Sequence, residues 1–314
     1  MNKKQAALII SVALTVLILI AAASAFYTTA QPTGKLQVVA TFYPLAFFTQ
    51  EIGGEHVQVT QLVPSNTEIH NWEPSVQDIT ATEKADIIIY NGAGLDHWMQ
   101  NEILPALSNA KSRVTVDTTE SIPLLQATQH KEEHEHKHGD YDPHTWVSPY
   151  MAKLQAEKIY NTLVTQDPTH ENYYEDNWAT FKNNLEQIEA NYTKTLADKQ
   201  KNVIFVSHAA FSYLADRYGF QQYGVIGLSA DQQPSAAAIA NIHNLMVQHE
   251  TYVVYVDPVH SEEYAQTLKN ELETRTGRAV KILKLYLITG PADGRGYLEQ
   301  QLFNLQNLKI GLEA

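Results

Sequence analysis

The sequence contains no cysteine. Disulfide bonds and thiolate chemistry are therefore excluded, and we expect no lipid anchor of the kind that bacteria attach at a cysteine. Any site for a transition metal would have to be built from histidine, aspartate or glutamate. The chain has thirteen histidines that could supply such ligands.

Basic residues are scarce, since 22 lysines and arginines stand against 35 acidic residues and the formal net charge is −13. Nucleic acids and anionic lipids would be repelled by such a chain, so neither is expected as a partner. An acidic surface attracts cations, although most acidic proteins are simply soluble. A hydrophobic content of 44% is too high for a disordered chain.

Long apolar runs are also lacking, with one exception at the N-terminus. Two lysines precede an uncharged stretch from Ala6 to Ala25, and about 20 helical residues span a bilayer core. Its small residues Ala23, Ser24 and Ala25 also fit a signal-peptide cleavage site. The stretch is a signal peptide or an uncleaved anchor. Either one predicts that the remaining chain lies on the extracytoplasmic face of the membrane, or is periplasmic or secreted.

Short apolar runs typical of buried strands alternate with helical patterns in two parts of the chain. Leu36–Thr41 and Asp86–Tyr90 belong to the first part, and Val203–Val206 and Tyr252–Val256 to the second. This β-α alternation predicts an α/β fold with two lobes, each built on a parallel sheet covered by helices. Between them, Thr169–Leu196 reads as one long helix.

These patterns predict four regions. We expect a membrane-directed segment with its linker at 1–34, a first lobe at 35–166, a linking helix at 167–200, and a second lobe at 201–314.

The histidines fall into two groups. His130, His134, His136 and His138 lie in a stretch at 128–142 that lacks aliphatic residues. It is predicted to be a mobile surface loop, which either captures or senses zinc locally or has no role beyond its charge. His134 and His138 match the zinc-protease pattern H-E-x-x-H, but no apolar helix face is available to hold them.

His70, His144 and His208 lie elsewhere, each where a predicted strand or loop meets a predicted helix. Open α/β sheets bind ligands at such junctions. Any one of them alone could be a capping or core histidine. Together they predict a cation site in the cleft between the lobes, and three neutral imidazoles suit Zn²⁺ at about 2.0–2.1 Å.

Three motifs surround these histidines in order. They are His70-x-x-Glu-Pro-Ser, Asp142-Pro-His144-x-Trp-x-Ser-Pro, and Ser207-His208-x-x-Phe-x-Tyr. With them the chain resembles the zinc and manganese solute-binding proteins of ABC importers, the ZnuA/TroA-like group, over roughly residues 36 to 310. The resemblance implies two lobes joined by a long helix, small hinge motion, a metal between the lobes, and delivery to a permease with its ATPase. Zinc members of this group often carry a His-rich loop.

The chain departs from this group at the fourth metal ligand. Members usually have an aspartate after the penultimate strand, whereas residues 282–287 here read Ile-Leu-Lys-Leu-Tyr-Leu. Water, Glu68, or a group from the Asp257–His260 stretch remain open as replacements. Asp257 and His260 are equally well explained as strand-end or surface residues. Three imidazoles without that carboxylate favour Zn²⁺ over Mn²⁺.

Two other functions remain open. A zinc hydrolase would need an open coordination position, a general base and a substrate pocket, and no base is evident beside the three histidines. A surface adhesin or zinc-buffering protein of the same fold would need no importer. The sequence favours a monomeric, non-enzymatic carrier of Zn²⁺.

Overall fold

The computed structural model describes residues 34–108, 111–127, 140–226, 236–259 and 262–314. The predicted membrane segment at 6–25, the four loop histidines from His130 to His138, and His260 lie outside these residues. Within the described ranges, no helix combines the length and the apolar character that a membrane crossing requires.

The first lobe is built on a four-stranded sheet in which every pairing is parallel. Its order is β2-β1-β3-β4, with strands β1 Leu36–Ala40, β2 Val57–Gln61, β3 Ile87–Tyr90 and β4 Val114–Asp117. All four residues of β3 (IIIY) are buried. A continuous apolar run is typical of a central strand covered on both faces.

The second lobe repeats this arrangement, again with parallel pairings only. Its order is β6-β5-β7-β8, with strands β5 Val203–His208, β6 Gln221–Ile226, β7 Val253–Val256 and β8 Lys281–Lys284. In each sheet the first strand of the lobe lies between its second and third strands. Successive strands are therefore added on opposite sides of the first strand, which makes this a point where the strand order reverses. Ligands bind outside the carboxyl ends of the strands at this kind of reversal, and β5 ends there with His208.

Helices connect the strands. They are α1 Tyr43–Gly53, α2 Val76–Glu83, α3 Pro149–Gln166, α4 Glu171–Thr195, α5 Ser212–Tyr218, α6 Ala236–Gln248, α7 Glu263–Thr276 and α8 Tyr297–Leu312. Shorter helical turns lie at Gly54–His56, Met99–Ile103, Leu104–Ala106, Thr145–Val147 and Pro168–His170. The long helix predicted at Thr169–Leu196 begins two residues later than expected. Pro168 starts a separate turn, and α4 begins at Glu171.

Helices α3 and α4 lie between the two sheets in chain order. The 25 residues of α4 extend over about 38 Å at 1.5 Å per residue. The helix is polar apart from a stripe of buried residues at helical spacing, which includes Tyr174, Trp178, Phe181 and Leu185. That stripe packs the linking helix onto the lobes.

Aromatic residues join the lobes into one core. Phe48 of α1 lies 5.6 Å from Phe181 of α4, and 4.9 Å from Tyr297 of α8, measured between ring centroids. All three rings are buried in the cluster that includes β1, β3 and residues of β5. Each aromatic pair adds about 0.5–1.5 kcal/mol beyond the area it buries, so this packing holds the two sheets in a fixed arrangement.

Candidate metal centre

The structure brings His70, His144 and His208 together, although long stretches of chain separate them. The Nε2 atom of His144 lies 3.2 Å from Nε2 of His70 and 3.2 Å from Nε2 of His208. One ligand atom from each ring lies within 4.8 Å of the other two. His144 and His208 are each 2% exposed, and His70 is partly exposed.

The spacing of these nitrogens matches a tetrahedral ion. Nitrogens bound to one Zn²⁺ at about 2.05 Å, with tetrahedral angles, lie roughly 3.3 Å apart. Two edges of the triangle are within about 0.1 Å of that value. The third edge, from His70 to His208, is within the 4.8 Å that encloses the group.

Asp142 orients the central histidine. Its Oδ1 accepts a hydrogen bond from His144 Nδ1 at 2.8 Å, and another from the His144 backbone N–H at 2.9 Å. A carboxylate can only accept, so Nδ1 carries the proton and the lone pair of Nε2 faces the other two rings. Both side chains are almost fully buried, which fixes this orientation.

Side chains from both lobes hold the segment that carries His144. From the first lobe, Asn91 Nδ2 donates to the carbonyl of Pro143 at 3.0 Å. From the second lobe, the Tyr213 hydroxyl donates to the carbonyl of Asp142 at 2.6 Å. Trp146 Nε1 in turn donates to the carbonyl of Leu287 at 2.7 Å. The geometry of His144 therefore depends on the relative position of the two lobes.

The other two histidines are placed by their own local structure. His208 is the last residue of β5, and all six residues of that strand are buried. His70 precedes α2, whose start is fixed by a reciprocal capping box between Ser75 and Asp78. The backbone N–H of His70 donates to Glu68 Oε1 at 3.1 Å, and this local bond stabilises the turn that carries His70.

The cavity beside the three rings is small. Its volume is about 10 Å³, and its walls include Glu68, Leu95, Trp146, Leu287 and Thr289. A volume near 10–15 Å³ is the least that holds one water molecule. The cavity is therefore of the size that one ion with a water beside it would fill.

The residues considered for a fourth ligand have distinct positions. Glu68 lines the cavity. Asp257 is instead engaged with the backbone, since its carboxylate accepts from the N–H groups of Val259, at 2.7 Å, and Leu287. Among the described residues, no carboxylate joins the histidines within 4.8 Å.

Sequence reasoning missed one residue of this site. Thr289 lies two positions beyond residues 282–287, where the family's aspartate was expected. It lines the cavity together with Leu287. The only signal in the sequence was its place as the first small polar residue after an apolar run.

Two parallel-sheet lobes with an ion-sized histidine site at their strand ends define the class of two-lobed, metal-binding solute-binding proteins. The family profile described as zinc-uptake complex component A, periplasmic (ZnuA), matches residues 38–311. The chain belongs to this family, and both the α/β fold and the family resemblance predicted from the sequence are confirmed. The family is a solute-binding component of zinc uptake.

Individual relatives agree with this assignment. The chain is 32% identical over 288 residues to the high-affinity zinc uptake system protein ZnuA of Bacillus subtilis, covering 88% of each protein. It is 30% identical over 285 residues to the zinc-binding lipoprotein AdcA of Streptococcus pneumoniae, covering 89% of this chain but 56% of AdcA. The structure of the Zn(II)-bound ZnuA-like domain of AdcA matches with a TM-score of 0.74 and 28% identity, over 90% of this chain and 100% of that domain.

Proposed function

We propose that this protein binds Zn²⁺ on the extracytoplasmic side of the membrane and delivers it to the permease of an ABC importer, which works with its ATPase. The observation that carries the proposal is the triangle of Nε2 atoms from His70, His144 and His208, with two edges of 3.2 Å. Relatives named for zinc uptake and zinc binding support the choice of ion.

The donor set favours zinc over manganese. Three imidazole nitrogens in a tetrahedral arrangement suit Zn²⁺, whereas Mn²⁺ prefers oxygen ligands and higher coordination. Among the described residues, no carboxylate completes the group within 4.8 Å. Manganese is therefore the less favoured cargo.

The cavity argues against a zinc hydrolase. Hydrolysis at zinc needs an open coordination position and room for a substrate next to it. The cavity beside the three rings, at about 10 Å³, offers little space in which a peptide or an ester could be held. We infer that the ion is cargo and that the protein is not an enzyme.

We also infer how the chain is organised around this site. Residues 6–25 would serve as signal peptide or anchor, 35–166 and 201–314 as the two lobes, and 167–200 as the helical link. The proposed carrier is a monomer. Mass spectrometry of the protein from membrane and soluble fractions would measure whether the N-terminal segment is retained.

Elemental analysis of the purified protein tests the central proposal. The wild-type protein should retain close to one zinc per chain after passage over a weak chelator, and His144→Ala and His208→Ala should lose it. His243→Ala is the matched control, because His243 is equally buried, at 3% exposure, but lies on α6 away from the cavity. Zinc retention by both triad variants, or equal loss in the control, would refute the site.

Uptake by cells tests the transport role separately. Deleting the gene should slow zinc accumulation in zinc-poor medium, and the wild-type gene should restore it while the His208→Ala gene should not. A surface adhesin or a zinc buffer would leave the rate of accumulation unchanged.

A further inference from the structure

Thr289 is a buried polar residue in the wall of the metal cavity. The residue is 8% exposed and lines the cavity with the three histidines. Its Oγ1 has no hydrogen-bond partner among the residues that the structure describes. Burying a hydroxyl without a partner is unfavourable, and such groups in native proteins usually bind a water, an ion or a ligand.

The backbone around Thr289 is held in an unusual conformation. Ile288 adopts φ 59°, in the left-handed region. A β-branched residue rarely occupies that region, and backbone strain of this kind concentrates at ligand sites. Ile288, with its left-handed backbone, lies between Leu287 and Thr289, which both line the cavity.

Contacts from the first lobe fix this segment. The N–H of Asn66 donates to the carbonyl of Thr289 at 3.1 Å, and Asn66 Nδ2 donates to the carbonyl of Pro291 at 2.9 Å. A Cβ atom on Gly290 would lie only 2.6 Å from Ser65 Cβ, so only glycine permits this approach of the two loops. The position of Thr289 is thus set from both lobes.

We propose that Thr289 is a positioning residue for the fourth coordination position, where its hydroxyl holds a metal-bound water. This inference rests on the proposed function, because it assigns the position that the three histidines leave open. Zinc ligands in proteins are thiolates, imidazoles and carboxylates, so a neutral hydroxyl acts through water. The cavity of about 10 Å³ accommodates one.

The consequence is a site whose four ligands carry no charge. A carboxylate at the fourth position would offset part of the charge of the ion and would favour harder cations such as Mn²⁺. A water held by Thr289 leaves that charge to be balanced from outside the ligand shell, where Asp142 supports His144. Thr289 would therefore contribute to selectivity for zinc.

Two substitutions test this role. Thr289→Val keeps the shape and removes the hydroxyl, and it should weaken zinc binding by about 10- to 100-fold, as loss of such partners does. Thr289→Asp should replace the water by a carboxylate and raise the affinity for Mn²⁺ relative to Zn²⁺. Thr251→Val is the control, since Thr251 is also buried in the second lobe but its hydroxyl bonds the carbonyl of His249.

Affinity for Zn²⁺ and Mn²⁺ would be measured by competition with a chelator, and the ligand shell by the visible absorption of the Co²⁺-loaded protein. Both Thr289 variants should change the Co²⁺ spectrum, while Thr251→Val should keep it. Urea unfolding of the metal-free proteins serves as a check on folding, and Thr289→Val should be at least as stable as wild type because it removes an unpartnered hydroxyl.

The outcomes separate this inference from the proposed function. If wild type binds zinc tightly while Thr289→Val binds within threefold of it and gives the same Co²⁺ spectrum, the role of Thr289 is wrong and the histidine site stands. If wild type itself fails to bind zinc, the proposed function is wrong, and this inference fails with it.

Discussion

Replacing Asp142 by asparagine should weaken zinc binding about tenfold without unfolding the protein. The carboxylate accepts the Nδ1 proton of His144 at 2.8 Å in a site where the two side chains are 1% and 2% exposed. Asparagine has nearly the same size and can still accept a hydrogen bond through its carbonyl oxygen. What it lacks is the negative charge that supports an imidazole bound to a dication.

The size of the effect follows from hydrogen-bond energies. A bond to a charged group contributes about 1.5–3 kcal/mol, and one between neutral groups about 0.5–1.5 kcal/mol. The difference of roughly 1–1.5 kcal/mol corresponds to an affinity change of about 5- to 13-fold. Burial of the pair places the effect toward the upper part of this range, because the local dielectric is low.

Competition with a fluorescent chelator at pH 7.5 would measure the zinc affinity of wild type, Asp142→Asn and a control. The chain offers a matched control in Asp167, which accepts from Nδ1 of His170 at 2.6 Å in the turn between α3 and α4. Asp167→Asn removes the same kind of pair away from the cavity and should leave the affinity unchanged. Zinc binding by Asp142→Asn within twofold of wild type would refute the reasoning, and so would an equal loss in Asp167→Asn.

Two predictions concern pH. Protons compete with the ion for imidazole nitrogens, so zinc affinity should fall as the pH is lowered from 8 to 5. Equal affinity at pH 8 and pH 5 in a chelator titration would contradict histidine ligation. Burial raises the pKa of Asp96 from 3.8 to about 6, so the folded state binds this proton more tightly than the unfolded state. Protonation of Asp96 therefore stabilises the folded state by on the order of 3 kcal/mol below about pH 4, and this stabilisation is lost as the pH rises through 6. Urea unfolding of the metal-free protein should show a weaker pH dependence for Asp96→Asn than for wild type over this range, and equal slopes would contradict the assignment.

The fold and the three histidines could be predicted because their signals are local. Strands such as β3 and β7 are continuous apolar runs bounded by polar residues, and such runs identify buried strands wherever they occur. His208 ends such a strand, at the edge where open α/β sheets place ligands, and it is predicted as a ligand only together with the other two histidines. His70 and His144 were identified by the motifs around them.

The remaining features of the site depend on contacts between distant parts of the chain. The bond from Trp146 to the carbonyl of Leu287 joins residues 141 positions apart, and no local pattern encodes it. Thr289 reaches the cavity because Ile288 turns the backbone into the left-handed region, which an isoleucine would not be expected to do. Tyr213 belongs to the third motif, but its bond to Asp142 becomes visible only when the lobes are assembled.

These long-range contacts bear on how the ion leaves. The lobes share a continuous core of buried aromatic rings from α1, α4 and α8, and pulling it apart would expose several large side chains at about 25 cal/mol for each Å² of apolar surface. The loops beside the histidine cavity are joined by hydrogen bonds, such as those of Asn66 to the 289–291 segment, each contributing about 0.5–1.5 kcal/mol. We therefore expect movement of these loops, although one of them carries the buried Ile69, to cost less than separation of the lobes. His70, the most exposed of the three rings, lies on the same loop as Asn66, so displacing that loop would remove one ligand and open the cavity in a single step.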